Sequence, residues 1–296
     1  MAQTQGARQA GAGKRQGDAA LVYMNPKVTF ITVSYKSPDL TRNLLRGVEE
    51  AQFSFSYEYI VVDNSVGDAT GEMLRTCYPW VRVIDAPGNL GFGRGNNLAF
   101  REVKSEYVML CNPDLLMFPG EMEKLLAFAD AHPEYGVIGP RVLNPNGTVQ
   151  QSYSRFHELM TPVYRRTFLG KTPWGKRALD RFLMKDADLN VVQEMDAIFG
   201  MVMLVRREIY EKIGGFDDFF FMYFEDVDFC RRAWEHGSRV CYAPIATFVH
   251  YLKRGSDVKH VWEIFTNRLS RAHIASAIYY FWKYSGKPLP HRTEGV

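Results

Sequence analysis

Two acidic segments, about a hundred residues apart, hold the side chains best suited to chemistry. The first is Tyr107-Val-Met-Leu-Cys-Asn-Pro-Asp114, an apolar run that breaks at Asn112-Pro113-Asp114. The second is Phe219-Phe-Phe-Met-Tyr-Phe-Glu-Asp-Val-Asp-Phe-Cys-Arg231, which sets Glu225, Asp226 and Asp228 among aromatic residues. A carboxylate at the end of a buried strand suits a divalent cation carrying phosphate oxygens. A carboxylate in an apolar wall has a raised pKa and suits proton transfer. Together they point to an enzyme acting on a phosphorylated donor.

Each segment also has an ordinary structural use. Asn-Pro-Asp is good turn chemistry, and acids before a helix are common caps. Arg231 and Arg232 stand about one turn from Asp228 and two from Glu225, as possible partners for either. Asp63-Asn64-Ser65 follows the apolar Tyr59–Val62 and can accept a hydrogen bond from a base, or close an Asx turn. Gly88-Asn-Leu-Gly-Phe-Gly-Arg-Gly-Asn-Asn97 offers backbone approach, the charge of Arg94 and the amide of Asn97. Its glycines fit neither G-x-G-x-x-G nor a P-loop, and a flexible connector has the same composition. His250 follows the apolar Ala246–Val249 and serves either as a metal ligand or as a structural imidazole.

The elements that must position these groups alternate. Val28–Val33, Tyr59–Val62, Val81–Ile84 and Tyr107–Cys111 read as strands. Leu40, Leu44, Leu45 and Val48 mark a helical face, and a short helix is expected at Gly71–Thr76. A glycine-rich loop is expected over Gly88–Asn97, then a helix over Asn97–Val103. Another helix follows Pro119, with Met122, Leu125, Leu126 and Ala129 on its buried side. This order implies right-handed βαβ units and an α/β fold with a mostly parallel sheet. Ligands bind outside the carboxyl ends of such strands. Ser34-Tyr35, Asp63-Asn64 and Asn112-Asp114 all fall at that edge.

Beyond Val137–Arg141 the alternation fades. Residues 155–190 read as irregular and basic. Between Arg165 and Lys185 there are seven Lys/Arg against one acid, Asp180. A strand is expected across Ala197–Val205, then helices at Arg207–Ile213 and Val227–His236, and strands at Arg239–Ala243 and Ala246–Tyr251. Val258–Tyr284 reads as helical, with Phe265, Leu269, Ala272, Ile274, Ile278 and Phe281 at helical spacing.

The 296 residues suffice for a large core. A net charge of +3 is too small to imply nucleic acid. No apolar stretch reaches the roughly 20 residues that span a bilayer. Residues 1–26, rich in Gly, Ala, Gln and Arg, read as a disordered arm. Four cysteines without C-x-x-C spacing read as reduced thiols, which suits the cytoplasm.

The ordered set Val33-Ser-Tyr, Val62-Asp-Asn-Ser, the Gly88–Asn97 run, Asn112-Pro-Asp, Gly200, Gly214-Gly-Phe-Asp-Asp, Phe224-Glu-Asp-Val-Asp and His250 resembles the family 2 inverting glycosyltransferases of the GT-A fold. It looks most like the bacterial rhamnosyltransferase branch that builds cell-wall linkers and O-antigens. The resemblance implies a Rossmann-like GT-A domain over residues 27–257, with a nucleotide-sugar half (27–141) and an acceptor half (142–257). An amphipathic helical tail would follow at 258–296. It implies that Val33, Ser34, Tyr35 and Asp63 hold the nucleoside. Arg94 and Asn97 would approach the diphosphate or sugar. Asn112 and Asp114 match the D-x-D metal motif, with Asn112 in place of its first acid. Asp114 and His250 would hold Mg²⁺ or Mn²⁺. Asp226 matches the catalytic base, with Gly200, Glu225 and Asp228 on the acceptor side.

The implied reaction is one inverting displacement from a nucleoside-diphosphate sugar. dTDP-L-rhamnose is the preferred donor and a UDP-sugar the alternative. The implied acceptor is a glycan or a polyprenyl-diphosphate-linked sugar, so the protein would work at the inner membrane surface. Two basic, aromatic segments could dock there, 165–185 and the tail. The tail carries eight Lys/Arg against three acids over 251–296, with Trp262, Phe265, Tyr279, Tyr280, Phe281 and Trp282. A nucleotidyltransferase would need a triphosphate loop after the first strand, and Ser34–Asp39 is not one. A non-catalytic nucleotide-sugar-binding module would leave the Glu225-Asp226 pair without a task.

Overall fold

The computed structural model describes residues 25–65, 67–251 and 267–290. Strand β1 (Val28–Ser34) lies between β2 (Tyr57–Asp63) and β4 (Tyr107–Cys111), parallel to both. β3 (Arg82–Asp85) extends the parallel half beyond β2. The register sets Ser34, Asp63 and Asp85 side by side at the carboxyl edge.

The other half of the sheet is mixed. β10 (Val202–Arg206) runs antiparallel to β4 and to β6 (Tyr135–Leu143). β11 (Arg239–His250) is parallel to β6, while β5 (Leu115–Leu116) and β8 (Gln193–Glu194) pair antiparallel with it. The parallel pairing expected for most of the sheet is concentrated in the first half. A buried strand reads as the same apolar run in either direction, so direction was not visible in the sequence.

Alternation along each strand divides the core. Phe30, Tyr59 and Val61 face α1 (Pro38–Ala51) and α4 (Glu121–Ala131). Ile31, Ile60 and Val62 face the side that holds Phe216, Phe224 and Val227. The four expected apolar positions of α4 are all buried. α2 (Thr70–Cys77) and α7 (Arg207–Ile213) also form as read, and Gly214 ends α7 in the left-handed region at φ 77°.

Several expectations change. The glycine-rich run is helical from Phe92, where α3 (Phe92–Phe100) begins. Its glycines permit close packing: a Cβ at Gly95 would lie 2.8 Å from the Val33 side chain. Ala197–Val205 is not one strand. β9 (Ala197–Ile198) pairs with β7 (Tyr153–Ser154) in a second small sheet, and the chain turns at Gly200 into β10. The two strands expected after Arg239 are one, β11, with a register shift between Ala243 and Thr247.

Residues 155–190 are not irregular throughout. Within them lie α5 (Thr161–Arg166), a 3₁₀ turn (Phe168–Lys171) and α6 (Pro173–Phe182), flanked by turns. Thr172 Oγ1 accepts from the Gly175 amide at 3.2 Å, and Pro173 takes the first helical position. That Thr-Pro pair was the overlooked start signal.

α8 (Glu225–Glu235) starts two residues earlier than expected. The C-terminal helix α9 (Arg268–Lys283) buries Ser270, His273, Ser276 and Tyr280, while Ile278 and Trp282 are exposed. The apolar stripe expected there is thus replaced by a polar and aromatic one. Trp262, Phe265 and most of the expected arm, residues 1–24, fall outside the described residues. No described helix is long and apolar enough to cross a membrane. All four cysteines are free thiols.

Candidate active site

The turn between β9 and β10 brings the two acidic segments together. The Gly200 amide donates to Asp226 Oδ2 at 3.1 Å. The carbonyl of the next residue, Met201, accepts from the Asn112 amide at 3.0 Å. Consecutive residues thus hold the base candidate on one side and the Asn112-Pro113-Asp114 turn on the other.

Asp226 stands in the first turn of α8, partly exposed, with Oδ1 accepting from the Val227 amide at 2.8 Å. Burial pushes its carboxyl above the usual aspartate range. The Gly200 and Val227 amides and the charge of Arg165 act against that rise. Glu225 beside it is buried, and its Oε2 has no hydrogen-bond partner among the described residues. Burial, then the Asp226 charge, raises the Glu225 carboxyl well above its usual value. The pair therefore consists of one deeply held acid and one more exposed carboxylate. Tyr223 and Phe224 lead into it at φ 70° and 68°, left-handed conformations that cost energy for bulky residues.

Asp114, just past β4, and His250, at the end of β11, are both buried. His250 Nε2 lies 3.1 Å from Asp114 Oδ1 and 3.3 Å from Asn112 Nδ2. Adjacent ligands on an octahedral cation with bonds of about 2.1 Å sit about 3 Å apart, so the pair fits two positions on one divalent ion. Carboxylate and imidazole together suit a metal such as Mn²⁺. Among the described residues no cluster of three or more His, Cys, Asp or Glu is placed to hold a metal. Remaining positions would fall to donor phosphate oxygens and water.

At the parallel edge Asp63 is buried, and its Oδ1 accepts from the Ser65 amide at 3.0 Å. Burial raises its carboxyl. Tyr35 is exposed at the rim, and Val33 is half-buried beneath α3. Arg94 is half-buried in α3, and its Nε has no partner among the described residues. That leaves it able to meet an anion.

Three expected site residues serve the scaffold instead. The Ser34 hydroxyl is buried against Thr41 Oγ1 at 2.8 Å, so its side chain is turned into the fold. The Asn97 amide nitrogen donates to Phe216 O at 2.8 Å and Asp218 at 2.9 Å, while its oxygen accepts from Tyr210 and the Phe216 amide. Its hydrogen-bonding groups are engaged in pinning the Gly214–Asp218 turn. Asp228 is fully buried, bonded to Arg232 Nε at 2.7 Å, Lys283 Nζ at 2.5 Å and Tyr284 OH at 2.8 Å. It ties α9 to α8.

The sequence places Asn64 at the sheet edge, but its part in holding the glycine segment was missed. Its Oδ1 accepts from the Leu90 amide at 2.9 Å and its Nδ2 donates to Gly91 O at 3.2 Å. It thereby fastens the glycine segment to the end of β2. Gly91, at φ 81°, lets that segment pass Phe221 so closely that a Cβ would lie 1.9 Å from the Phe221 carbonyl oxygen. Arg165 was also missed as a charge acting on Asp226. Nothing in the local sequence signals either role.

The glycosyl transferase family 2 model matches residues 29–214, and one described as the N-terminal domain of galactosyltransferase matches 181–254. The N-acetylglucosaminyl-diphospho-decaprenol L-rhamnosyltransferase of Mycobacterium tuberculosis is 28% identical over 206 residues, 65% of this chain and 66% of that one. The rhamnosyltransferase WbbL of Escherichia coli K12 is 25% identical, covering 86% of this chain and 92% of its own. Among solved structures, a Pyrobaculum calidifontis mannosyltransferase in complex with GDP-Man and Mn²⁺ superposes with a TM-score of 0.59 at 18% identity, covering 91% of this chain and 68% of that one. Such neighbours have the GT-A fold. The family match spans more than half of the chain, from β1 through the Asn112–Asp114 turn to the end of α7; this protein belongs to glycosyl transferase family 2.

Proposed function

We propose that the protein transfers L-rhamnose from dTDP-L-rhamnose to a hydroxyl of a glycan or polyprenyl-diphosphate-linked acceptor, with inversion. The observation that carries this reading is the shared turn, which bonds Asp226 through Gly200 and the Asn112–Asp114 segment through Met201. It supports reading Asp226 as the proton acceptor and Asp114 with His250 as the cation ligands, the two functions that sugar transfer from a nucleoside diphosphate requires. The sugar assignment is supported by the two relatives whose names specify rhamnosyl transfer. A lipid-linked acceptor would have the protein work at a membrane surface on the cytoplasmic side.

Asp226 takes the proton from the acceptor hydroxyl, helped by a carboxyl pKa raised through burial. That oxygen forms its bond to the anomeric carbon as the bond to the diphosphate breaks. The Gly200 and Val227 amides keep the carboxylate oriented throughout. Asp63 accepts from the base, Tyr35 closes the rim, and Arg94 meets the diphosphate. Asp114 and His250 would hold Mg²⁺ or Mn²⁺, which supplies positive charge to the leaving diphosphate.

A donor panel of dTDP-, UDP- and GDP-sugars, each with and without Mn²⁺, tests this reading. Transfer and thermal stabilisation are expected from dTDP-rhamnose with metal. Transfer from a UDP-sugar alone would overturn the donor assignment. Loss of metal dependence would overturn the role of Asp114 and His250.

A further inference from the structure

The α5–α6 hairpin carries an unusual set of exposed apolar side chains. Leu159 is 71% exposed, Phe168 76% and Trp174 62%, and Met160 and Val163 are also open. So many exposed apolar side chains within one short stretch of chain point to an interaction surface. The hairpin is closely folded: a Cβ at Gly170 would lie 2.0 Å from the Tyr164 carbonyl oxygen, and one at Gly175 2.1 Å from that of Leu169. The side chains are thus presented on a fixed support.

The same hairpin is basic. Arg181 pairs with Glu158 and Lys185 with Asp180. Lys171, Lys176 and Arg177 are exposed and make no ion pair among the described residues. Their charge favours an anionic partner. It disfavours a second copy of this chain, because a two-fold contact would set these cations against themselves.

The hairpin is also coupled to the base. The Phe182 ring, at the end of α6, lies 4.6 Å from the His157 ring, which lies 4.4 Å from that of Phe224. Phe224 precedes Glu225 and Asp226. Arg165, on α5, lies over the Phe182 ring and acts electrostatically on Asp226.

We propose that residues 159–177 form a docking platform for an anionic lipid bilayer. Phe168 and Trp174 enter the boundary between headgroups and acyl chains, while Lys171, Lys176 and Arg177 meet the lipid phosphates. Through Phe182, His157 and Phe224 the platform connects to the segment that carries Asp226. This rests on the reading of the acceptor as lipid-linked, and it gives the bilayer a defined contact on the protein.

Flotation of the full chain tests it, on vesicles of phosphatidylcholine alone and with phosphatidylglycerol. The parent is expected to float with the anionic vesicles. The double variant Phe168→Ser, Trp174→Ser is expected to lose on the order of tenfold in bound fraction while keeping its melting temperature, since both side chains are exposed. The triple variant Lys171→Ser, Lys176→Ser, Arg177→Ser is expected to lose the preference for phosphatidylglycerol. A parent that stays with the soluble fraction, or an aromatic variant that floats like the parent, overturns the proposal. So does a double variant that floats normally but loses self-association in light scattering, which would assign the face to a second copy. Flotation needs no donor, so it fails or succeeds separately from the transfer assay. Lost flotation with intact transfer to a short-chain, water-soluble acceptor leaves both the platform and the rhamnosyltransferase reading in place.

Discussion

Gly200 donates its backbone N–H to Asp226 Oδ2 at 3.1 Å, in a turn too tight for a side chain. A Cβ there would lie 2.8 Å from two atoms of the Phe92 ring. Phe92 in turn is bonded through its amide to the Phe221 carbonyl at 3.2 Å. The glycine segment, the Asp226 loop and, through Met201, the Asn112–Asp114 turn therefore meet at one position. Gly200→Ala is expected to cost about 1–3 kcal/mol in stability, as overpacked sites do. It should also lower kcat more than tenfold by tilting Asp226, read by steady-state kinetics beside a denaturant melt.

Glu225 predicts a pH effect on stability. Its folded carboxyl holds its proton to higher pH than the unfolded one, because burial disfavours the charge. The unfolded chain releases that proton near the ordinary value of about 4.3. Above that pH the folded state binds more protons, so stability falls as pH rises until the folded group also ionises. Glu225→Gln removes the titration. Urea melts from pH 5 to 8 should show a flatter slope for the variant, with relative stability rising towards the alkaline end. An unchanged slope would show that Glu225 ionises normally.

Asp228 and Asp226 are two residues apart and should respond in opposite ways. Asp228 is the buried counter-charge of both Arg232 and Lys283. Asp228→Asn leaves Arg232 without its counter-charge and Lys283 with Asp217 alone, and should cost about 3–5 kcal/mol. Activity per folded molecule should stay within about threefold, because Asp228 faces α9 rather than the cleft. Calorimetry with activity corrected for folded fraction measures both.

The sequence made some of this legible and hid the rest for identifiable reasons. α4 was readable because Met122, Leu125, Leu126 and Ala129 repeat at helical spacing and all reach the core. β4 was readable because five apolar residues end at Asn112-Pro113. The approach of Asp114 to His250 was not readable from spacing. It depends on β11 returning beside β5, and Asn112 and His250 are 138 residues apart. The true buried face of α9 was hidden because hydroxyl and imidazole groups carry it. Ser276 Oγ bonds to the Met222 carbonyl at 3.0 Å, and His273 packs 4.9 Å from the Tyr223 ring. Polar residues on a helix read as its outer face unless their partners are known. Ser34 and Asn97 were expected in the donor site for the converse reason. Their types suit a ligand, but Thr41 and the Phe216 turn bind them first.

Asp226→Asn removes the carboxylate proposed to act as the base. The measurement is the initial rate of sugar transfer, paired with the thermal shift caused by nucleotide and Mn²⁺. Transfer is expected to fall on the order of 10²–10⁴-fold, while the thermal shift stays at the parent value because the donor corner is untouched. A variant that turns over at near the parent rate would contradict the account and move the search for the base elsewhere in the cleft.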